Sequence, residues 1–429
     1  MSRKEYSLDQ WLDWMLANHP TEIDLGLGRV GQVFTRMQLD LSYSKIVSIA
    51  GTNGKGSTTA LLESIYLASG YSTLAYTSPH LLLYNERVRI DGGNAEDSLF
   101  ITAFNAIDLA MGQNSERISL SYFEIGTLAA LFLIAQHKPQ IALLEVGLGG
   151  RLDAVNIVDA DVAVITTLAV DHVDWLGDDI EQIGREKAGI ARSGKPLICG
   201  ELQPPASVAE LSAQQGFELY QINRDYKFAC QEERDCWSWG GRSATGELVE
   251  FSELPLPALP VQNAATALQV ISVLGMPCDT TAIKKGLQQA SAMGRLQQVN
   301  FQGTPLLLDV AHNPQSAQYL TQALQQRGLA GKIQLVLGVL GDKDCAGVIE
   351  ALSPLVSHWH FVSLDVYRGQ SAQQLKQYLA SDEQTVSCHA GVEAALLKAV
   401  DLVGSAQRVV VAGSFVTVSQ VLEIIKRDE

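Results

Sequence analysis

The chain has no long hydrophobic run. Its most apolar stretch, near Leu128 to Ala135, is far shorter than the ~20 residues a membrane-crossing helix needs. Arg3 and Lys4 have no apolar segment behind them, so no signal peptide is expected. Cysteine is sparse and scattered. Cys199, Cys230, Cys236, Cys278, Cys345 and Cys388 include no CxxC pair, which argues against a disulfide scaffold and a zinc site. Basic residues are in deficit: Lys+Arg 31 against Asp+Glu 47 leaves a formal net charge of −16. That sign disfavours sequence-independent nucleic-acid binding and adhesion to anionic membranes, although a local basic patch can still hold a small anion. No repeat of fixed period is visible. The absences together point to a globular protein of the cytoplasm.

The 429 residues are 47% hydrophobic and 18% charged, enough for a sizeable core. At ~150 residues per domain, two or three domains are expected. Leu8, Trp11, Leu12, Met15 and Leu16 recur at helical spacing, Ser7 and Gln10 can form a capping box, and Pro20 stops the helix. Residues 45–50 read as a buried strand, followed by a glycine-rich turn and a helix over 57–69 closed by Gly70. Strands recur at 141–146, 162–166 and 196–199 with helices between, a pattern of right-handed crossovers and a mostly parallel sheet. Segment 217–251 is polar, with aromatic residues and glycine turns, and reads as short antiparallel strands at a sheet edge. Pro255, Pro257 and Pro260 then break regular structure before a helix over 263–274.

After a joint at 291–296 the pattern restarts. Strands at 306–310, 334–339, 358–363 and 408–412 alternate with helices at 316–326, 371–379, 392–402 and 415–425. This second doubly wound unit has ~130 residues, a normal domain size. The fold class is α/β with two domains: an N-terminal P-loop domain over 1–294 and a Rossmann-like domain over 295–429, with a mostly parallel sheet. Two such units on a short linker place a cleft between them, and ligands of open α/β sheets bind beyond the carboxyl ends of strands.

Gly51-Thr52-Asn53-Gly54-Lys55-Gly56-Ser57-Thr58 joins a strand to a helix. Glycines let the backbone wrap phosphate oxygens, and the helix N-terminus offers unpaired N–H groups. Lys55 supplies a point charge for the terminal phosphates, and a Ser57 or Thr58 hydroxyl can sit on Mg²⁺. The spacing is not GxxxxGK[ST], because Gly56 separates the lysine from the hydroxyls. Glu145 follows four apolar residues at a strand's end, where simple solvation is poor; a cap, an ion pair or a metal ligand would each fit. His172, in Asp171-His172-Val173-Asp174, reads as a hydrogen-bonding loop histidine. Lys187 reads as a solvated helical lysine with Glu181 and Glu186 for partners, Asn263 as a helix N-cap and Arg295 as a linker arginine.

Together with that loop, Ser78-Pro79-His80-Leu81, Tyr84-Asn85-Glu86-Arg87-Val88, the run Leu144 to Ala154 and Asp171-His172 resemble the folylpolyglutamate synthase branch of the Mur-ligase superfamily. The likeness covers nearly the whole chain and is greatest to the bifunctional bacterial members, which also make dihydrofolate. It implies an N-terminal domain of the Mur-ligase type that binds ATP and pterin, and a C-terminal domain that binds glutamate. It implies ATP-dependent addition of L-glutamate to dihydropteroate and then to reduced folates, through an acyl phosphate. Folylpolyglutamate synthesis alone, or another Mur-type amino-acid ligase, is the alternative.

The resemblance assigns Asn53, Gly54, Lys55, Gly56, Ser57, Thr58, Asn263, Arg295 and Asp309 to ATP, and Ser57, Ser78, Glu145 and His172 to Mg²⁺ at two sites. A monovalent cation is a further candidate cofactor. Leu27, Arg29, Phe123, Leu152, Asp153 and Ala154 match the pterin contacts, and His312 and Ser414 the glutamate side. Lys55, Lys187 and His312 match catalytic positions, and Lys187 matches a lysine carrying a carbamate (N6-carboxylysine). CO₂ addition turns a cation into an anion and so resolves the conflict of a lysine beside Mg²⁺. The implied partners are small molecules, namely dihydropteroate, tetrahydrofolate and L-glutamate, acting on a monomer in the cytoplasm.

Two other readings compete. A cell-wall amino-acid ligase shares the loop and the chemistry, but usually carries a nucleotide-sugar domain ahead of it, and 50 residues before Gly51 are too few for one. A non-catalytic ATP-binding protein would not need Glu145, His172 and a second α/β domain together.

Overall fold

A computed structural model describes residues 3–19, 24–231, 234–380 and 385–428. The chain forms two compact units, the first of Met1–His80 and Tyr84–Ala290, the second of Leu81–Leu83 and Ser291–Glu429.

In the first unit the apolar runs become the central strands of a sheet, buried on both faces. Its strands are β1 (Lys45–Ala50), β2 (Thr73–Tyr76), β3 (Val88–Ile90), β4 (Gly93–Asn94), β5 (Ile141–Glu145), β6 (Val162–Ile165), β7 (Pro196–Cys199) and β8 (Glu218–Gln221). They lie in the order β4-β3-β2-β5-β1-β6-β7-β8. From β2 to β8 every pairing is parallel; β3 and β4 add an antiparallel edge. Parallel strands covered by helices show continuous apolar sequence, and all five residues of β5 are buried. The apolar run too short for a membrane is the middle of the helix Tyr122–His137, whose Leu128, Leu131 and Ile134 join the core. No helix among the described residues is long and apolar enough to cross a membrane.

The first helix, Leu8–Asn18, has the expected capping box: Gln10 N–H donates to Ser7 Oγ at 3.3 Å and Ser7 N–H to Gln10 Oε1 at 2.9 Å. Pro20, expected to stop it, lies outside the described residues. Segment 217–251 departs from the expectation. Glu218–Gln221 is the main sheet's edge strand, but parallel to β7. The rest forms a separate antiparallel sheet of β9 (Lys227–Gln231), β10 (Cys236–Arg242) and β11 (Leu248–Pro255). The reason is packing: Trp237 and Trp239 of β10 are fully buried, so the small sheet has an apolar face of its own.

The second unit carries β12 (Gln297–Phe301), β13 (Thr304–Leu308), β14 (Ile333–Leu337), β15 (Val356–Val362), β16 (Thr385–His389) and β17 (Arg408–Ala412), in the order β12-β13-β17-β14-β15-β16. The hairpin β12–β13 is antiparallel and the other pairings are parallel. Separate apolar clusters include Leu335 and Leu337 in one and Val336 and Val411 in the other, as period-2 alternation requires of a sheet covered on both sides. Leu81 packs in the second cluster, which places Leu81–Leu83 in this unit.

Candidate active site

β1 ends at Ala50, and four residues turn the chain into the helix Lys55–Ala68. Two of them must be glycine. Gly51 has φ +151° and a Cβ there would collide with Thr166; Gly54 has φ +86° and its Cβ would sit 2.8 Å from the Asn263 amide. The segment after β6 clamps the loop. Thr52 N–H donates to Thr167 O at 2.7 Å, and the Thr166 and Thr167 hydroxyls donate to Asn53 O at 2.6 and 3.0 Å. Gly54 caps the helix without a side chain, and the first intrahelical bond is Thr58 N–H to Gly54 O at 2.9 Å. The earlier N–H groups therefore face outward as an anion site.

Two lysines converge on this loop. Lys55 Nζ donates to Gly51 O at 3.0 Å and Thr52 O at 3.4 Å, and Lys187 Nζ donates to the same Gly51 O at 3.1 Å. Lys187 lies on the helix Ile180–Ala188 and is buried, contrary to the solvated reading. The loop after β5 packs on that helix: a Cβ at Gly150 would lie 3.0 Å from Lys187 Cα. Burial first, and the Lys55 charge second, push the Lys187 pKa down to about 7.

Glu145 closes β5 beside Ile49 of β1. It is buried, its Oε2 accepts from Ser78 N–H at 3.2 Å, and a Cβ at Gly56 would lie 3.8 Å from that oxygen. The carboxylate thus faces the start of the phosphate-loop helix. Asn263 is not an N-cap: its helix is Val261–Leu274, capped by Pro260, which leaves Asn263 inside the first turn with its buried amide against Gly54. Proline fits a helix start, so the helix begins earlier than the proline cluster suggested. His172 is exposed, with φ 53°, ahead of the one-turn helix Val173–Leu176, and its N–H is held by Asp171 Oδ1 at 2.7 Å.

The six pterin-assigned residues fall in one neighbourhood. Gly26 N–H, next to Leu27, donates to Leu152 O at 3.1 Å; Arg29 pairs with Asp24 at 2.8 Å and with Glu124 at 3.2 Å. Phe123, half-buried, lays its ring 2.5 Å from where a Gly147 Cβ would stand. Asp153 accepts from Leu148 and Val155 N–H, both at 2.9 Å, and caps the short turn Ala154–Ile157; burial raises its pKa to about 6.

In the second unit Asp309, His312 and Ser414 follow the adjacent strands β13 and β17. Asp309 is buried and accepts from Leu296 and Ala311 N–H, both at 2.9 Å; burial raises its pKa while Arg295 opposes the rise. The Arg295 guanidinium lies 5.3 Å over the Phe415 ring. His312 Nδ1 bonds Val310 O at 2.8 Å, and a carbonyl only accepts, so in the neutral ring the proton sits on Nδ1 and Nε2 is the basic nitrogen. Ser414 stands immediately ahead of its helix. Its buried hydroxyl accepts from Thr417 N–H at 3.0 Å, capping its own helix Phe415–Asp428.

Residues 49–200 match the model of the Mur ligase middle domain, and residues 294–415 that of the Mur ligase, glutamate ligase domain. The dihydrofolate synthase/folylpolyglutamate synthase of Escherichia coli (strain K12) is 41% identical over 418 residues, covering 97% of this chain and 95% of the relative. The chain belongs to this family of Mur ligases. It is an ATP-dependent ligase. Among solved relatives, E. coli FolC in complex with DHPP and ADP superimposes with a TM-score of 0.91 at 40% identity, covering 100% of both chains. A bifunctional folylpolyglutamate synthase/dihydrofolate synthase with Mn, AMPPNP and L-glutamate bound gives 0.89 at 44% identity, covering 99% of both.

The donor set can be tested against a divalent cation. No group of three or more His, Cys, Asp or Glu side chains stands together among the described residues, so a self-sufficient protein cage is excluded there. A buried single carboxylate beside a phosphate-type helix N-terminus remains, and Thr58 Oγ1, in that helix's first turn, is buried without a hydrogen-bond partner among the described residues. This suits Mg²⁺, which takes one or two carboxylates and completes its shell with phosphate oxygens and water. Two features escaped the sequence reading. The Thr166–Thr167 clamp had a visible signal, paired hydroxyls directly after a strand. Arg87 was part of a quoted motif but had no role.

Proposed function

We propose that this family member joins L-glutamate to dihydropteroate, and to reduced folates, with ATP consumed at the Gly51 to Thr58 loop. The supporting observation is the convergence of Lys55 and Lys187 on the Gly51 carbonyl beside the buried Glu145. In this reading the substrate carboxylate attacks the γ-phosphorus and the bond to the bridging oxygen of ADP breaks. Lys55 and the loop N–H groups carry the moving charge. The glutamate nitrogen, once deprotonated, attacks the acyl carbon; the C–N bond forms and phosphate leaves. His312 Nε2 is the base we assign to that proton, since its Nδ1 is committed to Val310 O.

Asn53, Gly54, Gly56, Ser57, Thr58 and Asn263 would hold the triphosphate, with Arg295 and Asp309 as further nucleotide contacts. Ser57, Ser78, Glu145 and His172 would hold Mg²⁺ at two positions, with the Lys187 carbamate as an added anionic ligand; bound, the metal neutralises phosphate charge. A monovalent cation fits the same reading. Phe123 would stack on the pterin, with Leu27, Arg29, Leu152, Asp153 and Ala154 around it. The second domain would take glutamate, and its Ser414 would act there through the helix N-terminus it caps. The chain would work as a cytoplasmic monomer. Labelled glutamate, Mg-ATP and either dihydropteroate or tetrahydrofolate should give labelled product in both mixtures. Product from tetrahydrofolate alone would leave only folate extension, and none from either would reject the proposal.

A further inference from the structure

Arg87 is a buried cation that neither the nucleotide nor the pterin wall accounts for. It ends the short turn Tyr84–Arg87 and is 8% exposed. Its Nε donates to His80 Nδ1 at 2.9 Å, and its guanidinium lies 5.4 Å over the Tyr84 ring and 5.3 Å over the Tyr122 ring, with the Tyr76 hydroxyl nearby. Among the described residues it makes no ion pair with a carboxylate. That is unusual, because buried guanidinium groups are normally paired. Aromatic faces offset part of the desolvation but leave the net charge in place.

The bond to His80 has a further consequence. An N–H donated to Nδ1 fixes the tautomer, so the ring hydrogen sits on Nε2. His80 is half-buried, and its Nε2 has no hydrogen-bond partner among the described residues. The fold thus offers a fixed N–H donor with an unmatched cation behind it. His80 stands two residues beyond Ser78, whose N–H holds Glu145. Tyr122, one wall of the arginine's box, precedes Phe123. Both ends of the pair are therefore tied to the site.

We propose that His80 and Arg87 recognise the anionic end of the acid substrate. His80 Nε2–H donates to the carboxylate and then to the acyl phosphate, and Arg87 is a positioning residue that fixes the tautomer and supplies the countercharge. This rests on the pteroate reading above, and it adds a recognition point that the pterin and phosphate contacts lack.

The test compares pteroate with its uncharged carboxamide, titrated into the full chain with Mg-AMPPNP. The ring system is the same, so the ratio of affinities isolates the anion. A charge-assisted hydrogen bond predicts that wild type prefers the acid by about 10- to 100-fold. His80→Ala and Arg87→Lys should each cut that preference to within about threefold, with AMPPNP affinity and Tm unchanged. Arg87→Lys keeps a cation but not the Nε donor, and half-exposed His80 tolerates truncation, so one variant remains informative if the other misfolds. A preference retained in both variants overturns the inference, as does equal weakening of acid and carboxamide. Wild type that binds neither ligand would sink the pteroate reading, and the inference with it.

Discussion

Lys187 shows how far a neighbourhood can move a single residue. In the sequence it stands in Arg185-Glu186-Lys187, where a solvated helical lysine is the ordinary outcome. In the fold it is buried and shares a carbonyl with Lys55. A pKa near 7 against 10.5 in the unfolded chain means the folded state binds fewer protons between those values. Stability from this group is therefore lost as pH falls from 10.5, with the full cost below about 7. A carbamate removes that cost by removing the cation, and it needs the neutral amine. With limiting bicarbonate, activity should fall as pH drops from 8 to 6. Lys187→Ala should lower kcat by about 100-fold or more, with partial rescue by formate or acetate, measured as glutamate incorporation; a variant with full activity would remove Lys187 from the chemistry. Gly54 gives a second residue-scale expectation. Its φ of +86° and the Asn263 amide 2.8 Å from a Cβ leave no room for Gly54→Ala. Nucleotide affinity should fall by at least about tenfold, roughly the scale of one lost charge-assisted hydrogen bond, in a calorimetric titration. The glycine loop was legible because its constraint is local. The burial of Lys187 and the contact of Asn263 were not, because distant segments create them.

Among elements, legibility followed burial. β5 was readable because its first four residues are apolar and all five are buried. β4, with Gly93 and Asn94 both exposed, and β16, exposed at Thr385 and half-buried after it, carry no such pattern, so pairing with a neighbour defines them. The edge pair β15–β16 also holds an arrangement invisible in one dimension. His358 and His360 stack at 4.3 Å between ring centres, and His360 Nδ1 lies 3.3 Å from His389 Nε2. Gln334 Oε1 and Ser387 Oγ bond the outer nitrogens, and Lys398 is the charged group acting on all three rings. Burial pushes all three imidazoles down, His360 to about 3. Their folded pKa values lie below the unfolded 6.5, so stability is lost as pH falls through 6.5 toward the folded values. The calorimetric Tm should drop between pH 7 and pH 5, and His360→Gln should flatten that limb. An acid limb of equal steepness in the variant would place its origin elsewhere. Asn313→Ala tests a second element. It removes the cap of the helix Pro314–Gln326, where Ser316 N–H donates to Asn313 Oδ1 at 3.0 Å, and should cost about 1 kcal/mol in denaturant unfolding.

For the whole molecule, the sequence carried the division because its alternating pattern starts twice, and each start builds a separate core. Trp11, Phe100 and Leu128 belong to the first unit's cluster, and Leu335 and Val411 to clusters of the second. Segment Leu81–Leu83 was not legible in this way, since it is continuous with the first unit in sequence but packs with the second. Units with separate cores need not melt together, and a ligand stabilises the unit whose folded form it binds. Differential scanning calorimetry should therefore resolve how each unit meets the nucleotide. At about 100 times its Kd, Mg-AMPPNP adds about 2.7 kcal/mol to the state it binds. The phosphate loop lies wholly within the first unit, so that unit's transition should rise, and Gly54→Ala should abolish the rise. Arg295 and Asp309 sharpen the question for the second unit. If they contact nucleotide as assigned, its transition rises too, and Arg295→Gln should remove most of that second shift while leaving the first. A second transition indifferent to nucleotide in wild type would strip both residues of the role. The Arg295 charge would then serve only to ease the burial of Asp309, whose carboxylate holds the Leu296 and Ala311 N–H groups.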